Sequence, residues 1–172
     1  MRLKDKKIWL VSDFHFGHRN VIDYCKRPFK NVTEMNNVLI KNFNKTVDKN
    51  DVVYILGDVS FLNTKSTTEI VKHLNGFKYL IKGNHDPKTN AAYRKMGFLE
   101  VYDKPIILNN KYILSHEPIS NKGPYLINIY GHLHDKAVND STDKFCCCLE
   151  LIDYKPISLD DINSHLTKQV PF

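Results

Sequence analysis

The residues able to do chemistry arrive in five groups: Asp13-Phe14-His15, Gly57-Asp58, Gly83-Asn84-His85-Asp86, His116 and Gly131-His132-Leu133-His134. Five of the chain's 8 histidines fall in these groups, and only His18, His73 and His165 lie outside them. Imidazole, carboxylate and amide oxygen form the donor set that hard and borderline divalent ions accept. Two such ions about 3.5–4 Å apart need a bridging anion, commonly a carboxylate. Asp58 suits that bridge, because Gly57 before it lets the backbone approach a crowded centre. Asp13 and His15 are two residues apart, as are His132 and His134. On an extended chain each pair would point to one face.

Each group follows a short apolar run: Ile8 to Val11, Val52 to Leu56, Tyr79 to Ile81, Tyr112 to Leu114, and Leu126 to Tyr130. Such runs, bounded by turn residues, read as buried strands. Ligands of sheet enzymes sit beyond the carboxyl ends of strands, so strands lying side by side would gather the five groups into one cluster. Between the strands, Gly17 to Arg27 carries a short helix stopped by Pro28. Thr33 caps a helix to about Val47, with Met35, Leu39, Phe43 and Val47 as its buried stripe. Thr64 to Leu74 and Lys88 to Met96 read as helices ended by Asn75-Gly76 and Gly97. Asn109-Asn110 suits a hairpin turn, Phe145 to Leu151 reads as a strand, and Ser158 opens a last helix. Helices alternate with strands early and strands cluster late, which predicts a mixed α/β protein with two sheets or one bent sheet.

A chain of 172 residues fits one domain, here residues 1–172. Apolar content of 42% and charged content of 26% are those of a soluble globular protein. The longest apolar runs are far too short to cross a bilayer, and the charged start from Met1 to Lys7 lacks a signal-peptide core. A cytoplasmic protein with no membrane partner is expected. Cys146, Cys147 and Cys148 are adjacent, which suits buried thiols on a strand better than a disulfide framework. The net charge of +6 leaves a nucleic-acid partner open, although the lysines are scattered and form no block.

In order and spacing, Asp13-x-His15, Gly57-Asp58, Gly83-Asn84-His85-Asp86, His116 and Gly131-His132-x-His134 resemble the motif set of the calcineurin-like metallophosphoesterases. The stretch Ser12 to His18 with Asn20, Arg27-Pro28-Phe29, and Asp153 to Leu159 is similar to a compact bacterial and phage branch of that superfamily. The resemblance implies a four-layer αββα sandwich of two mixed β-sheets flanked by helices. It implies two divalent ions, with manganese first and iron, zinc, nickel or cobalt also compatible. Asp13, His15 and His134 would hold one ion, Asn84, His116 and His132 the other, and Asp58 both. A metal-bridging hydroxide would attack a phosphate ester, His85 would protonate the leaving oxygen, and Asp86 would accept a hydrogen bond from His85.

His18, Arg19 and Arg27 are candidates for substrate binding, since an arginine fork matches two phosphate oxygens. His73 and His165 read as surface residues. The loops 119–124 and 135–144 are expected to line the site. A phosphodiester is the favoured substrate, with a phosphomonoester of a metabolite or phosphoprotein, or a nucleic acid, as alternatives. A non-catalytic scaffold would have lost ligand positions, and none is missing here. The oligomeric state is left open.

Overall fold

The computed structural model describes residues 6–120, 123 and 126–169. Two sheets form its centre. In the first, β1 (Ile8–Val11), β2 (Val52–Ile55), β3 (Phe77–Ile81) and β4 (Glu100–Tyr102) run parallel, and β9 (Ile157–Ser158) pairs antiparallel with β1, giving the order β4-β3-β2-β1-β9. In the second, β5 (Ile106–Leu108) is antiparallel to β6 (Tyr112–Leu114), while β6, β7 (Ile127–Tyr130) and β8 (Lys144–Cys146) run parallel in that order. Both sheets are therefore mixed, and helices flank them as the expected αββα sandwich requires.

The helices are α1 (Arg19–Tyr24), α2 (Val32–Thr46), α3 (Thr64–His73), α4 (Asn90–Met96) and α5 (Leu159–Lys168). Met35, Leu39, Phe43 and Val47 are all buried, as their four-residue spacing predicts. Truncating one such side chain, Leu39→Ala for example, costs about 2–5 kcal/mol. Gly97 ends α4 at φ 118°, in the left-handed region that favours glycine. Ser158 caps α5 by accepting from the Asp161 amide. Asn109 and Asn110 turn the β5–β6 hairpin with φ of 53° each. Asn163 of α5 accepts from Lys111 and Tyr112, which seats that helix on the second sheet.

Four expectations need correction. The cap of α2 is Asn31, whose side chain accepts from the Glu34 amide at 2.9 Å, and Thr33 lies in the first turn. β4 and β9 were not foreseen, because strands of three and two residues carry too little pattern. The strand expected from Phe145 to Leu151 stops at Cys146, and Leu149–Leu151 is a 3-10 turn. It stops because the Cys147 carbonyl accepts from the Ser12 amide at 3.0 Å, drawing the chain across to the other sheet. His165 is half-buried, with its Nε2 2.7 Å from the Asn139 carbonyl, so it is not a free surface residue. The three adjacent cysteines are buried and unpaired as expected.

The Ser12–Cys147 hydrogen bond places the site, because it joins the carboxyl ends of β1 and β8. The Asp13 amide donates to the Gly57 carbonyl at 3.1 Å and the Gly131 amide to the His116 carbonyl at 2.8 Å. The loops after β1, β2, β6 and β7 are thereby tied together across the seam between the sheets.

Candidate metal centre

All seven proposed ligands meet at that seam. Oδ1 of Asp13 lies 3.5 Å from Nε2 of both His15 and His134. Oδ2 of Asp58 lies 3.4 Å from Nε2 of His15 and 3.6 Å from Nε2 of His116. Oδ1 of Asn84 lies 2.9 Å from Nε2 of His116 and 3.2 Å from Nδ1 of His132. Asp58 thus stands between one group of Asp13, His15 and His134 and another of Asn84, His116 and His132.

The unused valences face inward. Asp13 Oδ2 is 2.5 Å from the Ser12 hydroxyl, accepts from the His132 amide at 2.8 Å and lies 3.3 Å from the Cys148 thiol. Its Oδ1 has no hydrogen-bond partner among the described residues, and neither ring nitrogen of buried His15 has one. Asp58 Oδ1 accepts from the His85 amide at 2.9 Å, which leaves Oδ2 for the imidazoles. His116 Nδ1 lies 2.8 Å from the Leu56 carbonyl, so it carries the proton and Nε2 presents a lone pair to the cluster. Buried polar atoms without partners are costly, and here they belong to Asp13 and His15 of the first group.

The electrostatics also suit a cation. Burial pushes the Asp13 carboxyl up, but the neighbouring His15 imidazole, the charges of His116 and His134, and the Ser12 hydroxyl outweigh it and hold the group well below the usual carboxylate range. Burial pulls His134 down, yet hydrogen bonds with Cys25 and Glu150 and the charge of Asp13 push it up to about 10. The two shifts describe a carboxylate and an imidazole that each favour the other's charge. Burial raises the Cys148 thiol, which remains a proton donor to Asp13 rather than a thiolate ligand. Chemically and geometrically, the donor set fits divalent ions of the hard-to-borderline kind.

The paired spacings work for a different reason than the sequence suggests. Asp13 and His15 have φ of 62° and 51°, Asp58 55°, and His132 and His134 70° and 52°. Five of the seven proposed ligands are therefore left-handed rather than extended, each at a cost of roughly 1–3 kcal/mol. Alternation along a strand is not what aims them. Two glycines make the crowding possible. A Cβ on Gly57 (φ 92°) would lie 2.5 Å from Nδ1 of His116, and one on Gly131 would collide with the Ser12 hydroxyl and lie 2.5 Å from Asp13 Oδ2.

A cavity of about 720 Å³ opens over the cluster, lined by His15, His18, Tyr24, His85, His132, His134, Asp135 and Lys136 among others. His85 is exposed at its mouth, with its ring 5.8 Å from that of His15. His18 lines the cavity and stacks on Phe61 at 4.1 Å. Burial and the charges of His15 and His85 lower its pKa. Of the 135–144 loop, Asp135 and Lys136 face this cavity, whereas Val138 and Asn139 face a separate one against α5. Ile119 borders a neighbouring groove with Asn84 and His116, and residues 121, 122 and 124 lie outside the described residues.

Three residues sit elsewhere than expected. Asp86 does not reach the His85 ring. Its Oδ2 accepts from the amides of Asp58 and Gly83 at 2.7 and 2.9 Å, and its Oδ1 from the Val59 amide and the Tyr93 hydroxyl at 3.2 and 3.1 Å. Burial raises its pKa while these amide bonds pull it back. Arg27 lies beneath the cluster with a fully buried guanidinium, bonded to Glu150 and to the carbonyls of Asp13 and Phe14. No part of it is left for a phosphate. Arg19 is exposed and pairs with Asp23 one turn along α1. Glu150 and Cys148 touch the ligands directly, yet no motif marks them, because their reach comes from the seam between the sheets.

Sheets joined at their carboxyl ends over such a cluster define an α/β scaffold with candidate metal ligands at its seam. Residues 6–169 match the family model for calcineurin-like phosphoesterases, and the chain belongs to that family. The family hydrolyses phosphate esters and binds divalent metals, for which this chain carries candidate ligand groups. An uncharacterized protein of Methanocaldococcus jannaschii is 39% identical over 168 residues, covering 90% of this chain and 88% of its own. The gene 66 protein of Mycobacterium phage L5 is 34% identical over 95 residues, which is 52% of this chain and 45% of the phage protein. Among solved structures, a protein of unknown function from Aquifex aeolicus superposes with TM-score 0.71 at 28% identity, over 93% of this chain and 99% of that one. The nuclease MPE of Pseudomonas putida shares the fold, with TM-score 0.51 at 23% identity, over 76% of this chain and 62% of that one. No helix among the described residues is long and apolar enough to cross a membrane.

Proposed function

We propose that the protein is a dinuclear phosphodiesterase. The observation that carries this reading is the pair of facing donor groups either side of Asp58 Oδ2, with Asp13 Oδ1 and both His15 ring nitrogens left without partners. Asp13, His15 and His134 would hold one ion, Asn84, His116 and His132 the other, and Asp58 would bridge them. Divalent ions there, manganese foremost, would supply an acidified water as nucleophile and positive charge beside the phosphoryl oxygens. His85 donates a proton to the leaving oxygen from the mouth of the cavity, where its exposed ring is free to do so. His18, kept neutral by its surroundings, orients the ester by hydrogen bonding rather than by charge.

A diester is favoured over a monoester by the shape and composition of the mouth. Tyr24 is 72% exposed and Phe61 46% exposed, so two rings beside the cluster offer an apolar seat for a second ester substituent. Hydrolysis of bis-para-nitrophenyl phosphate and para-nitrophenyl phosphate in the presence of manganese tests this. A higher kcat/KM for the diester is expected, and preference for the monoester would refute it. Nucleic acid is the second reading, supported by the +6 net charge and by rings able to stack on bases. Its sign would be salt-sensitive binding to single-stranded oligonucleotides.

A further inference from the structure

Glu150 lies in none of the five groups, and its side chain is 4% exposed. Its Oε1 accepts from Arg27 Nε at 2.8 Å and Nη2 at 2.7 Å, and lies 3.0 Å from His134 Nδ1. The same guanidinium donates to the Asp13 carbonyl at 2.7 Å and to the Phe14 carbonyl at 2.9 Å. One buried ion pair therefore grips both ends of the first ligand group. Arg27 fixes the backbone of Asp13, and Glu150 fixes the ring of His134.

Consider what the ring does when held so. A carboxylate oxygen at Nδ1 keeps a proton there, so the nitrogen left to give up its proton to a cation is Nε2, which faces Asp13 Oδ1 3.5 Å away. A histidine free to flip would present either nitrogen, or neither. The left-handed backbone of His134, φ 52°, gives no such guidance to the ring. Cys25, His134 and Glu150 also lie close enough to suggest a third metal site. Arg27 excludes that reading, because a guanidinium already sits on Glu150 Oε1 and supplies the positive charge a metal would bring.

We propose that Glu150, clamped by Arg27, is the positioning residue of the first metal site: it sets the tautomer and orientation of His134 and so controls binding of that ion alone. The proposal rests on the dinuclear reading above. Carboxylate–histidine partners of this kind alter metal affinity by about 10–100-fold when removed.

The test is a double-mutant cycle read by manganese calorimetry and metal analysis, with urea unfolding as a check on folding. Its corners are the wild type, Glu150→Gln, His134→Ala and the double variant. Glutamine keeps an acceptor at Oε1 but removes the negative charge that holds the proton on His134 Nδ1 and raises the basicity of Nε2, and it sets its amide nitrogen at Oε2, which has no hydrogen-bond partner among the described residues. Glu150→Gln is thus the variant expected to fold, whereas Glu150→Leu strands Arg27. The expected result is that Glu150→Gln weakens one ion about tenfold or more and leaves the other within twofold. In the His134→Ala background the same change should alter the remaining affinity less than twofold. Equal losses in both backgrounds would overturn the proposal, as would loss of both ions together in a folded Glu150→Gln protein. A wild type that binds no manganese would instead sink the dinuclear reading itself.

Discussion

Replacing Asp86 with asparagine separates two roles for that residue. If Asp86 orients the His85 imidazole, Asp86→Asn should lower turnover and leave stability alone. The observed geometry predicts a loss of stability, with turnover falling only as metal content falls. Oδ2 accepts two amides, from Asp58 at 2.7 Å and Gly83 at 2.9 Å, and those hydrogen bonds lose their charge assistance. At Oδ1 an amide NH2 would face the Val59 N–H at 3.2 Å and the Tyr93 hydroxyl at 3.1 Å. The hydroxyl can turn and accept, but the Val59 amide cannot. Weakening two charge-assisted bonds costs about 1 kcal/mol each, and stranding one buried amide costs about 1–3 kcal/mol. Relief of the buried charge, visible in the raised pKa of Asp86, offsets part of this. The net expectation is a loss of about 2–4 kcal/mol, a large share of the roughly 5–15 kcal/mol that stabilises a typical domain.

Urea unfolding of the metal-free protein measures this directly. With a slope of about 2 kcal/mol/M, the midpoint should fall by roughly 1–2 M at unchanged slope. Tyr93→Phe removes one of the four bonds and should cost about 1 kcal/mol. Turnover of Asp86→Asn should decline together with metal content, since the carboxylate ties the Asp58 and Gly83 loops to each other. A midpoint within about 0.3 M of wild type, with full metal and turnover cut a hundredfold, would refute the reasoning and restore Asp86 as the partner of His85.

Two further outcomes follow from the same geometry. His85→Ala should retain full metal content, because only its backbone amide touches a proposed ligand, yet lose about 10²–10⁴-fold in turnover. Turnover unchanged in that variant would remove His85 from the chemistry. Gly131→Ala should disturb the first ion more than the second, since the new methyl meets Ser12 and Asp13 rather than Asn84 or His116. Equal loss of both ions, by metal analysis of folded protein, would count against the assignment of Asp13 to the first group.

What could be read from the sequence follows from the range of each signal. Apolar runs ending in Asp, Asn and His point to one cluster, because parallel strands must deliver their carboxyl ends to one edge. The stripe of α2, the Asn109-Asn110 turn and the Ser158 cap are local signals of the same kind, and each stands where its spacing puts it. The aim of individual side chains is another matter. The two-residue spacing of Asp13 and His15 suggests a strand face, but both residues are left-handed, a state that Asp and His enter more readily than most residues yet that the spacing does not reveal. Arg27 and Asp86 were misjudged for a common reason. A guanidinium or carboxylate near a motif is equally fit to meet substrate or to satisfy buried backbone, and the choice depends on groups far away in sequence. Arg27 found Glu150, 123 residues on, and the carbonyls beneath Asp13. Asp86 found three amides around Gly57 and Gly83. Strained ligand backbones need such supports: left-handed Asp13, His15 and Asp58 persist only where neighbours over-determine them.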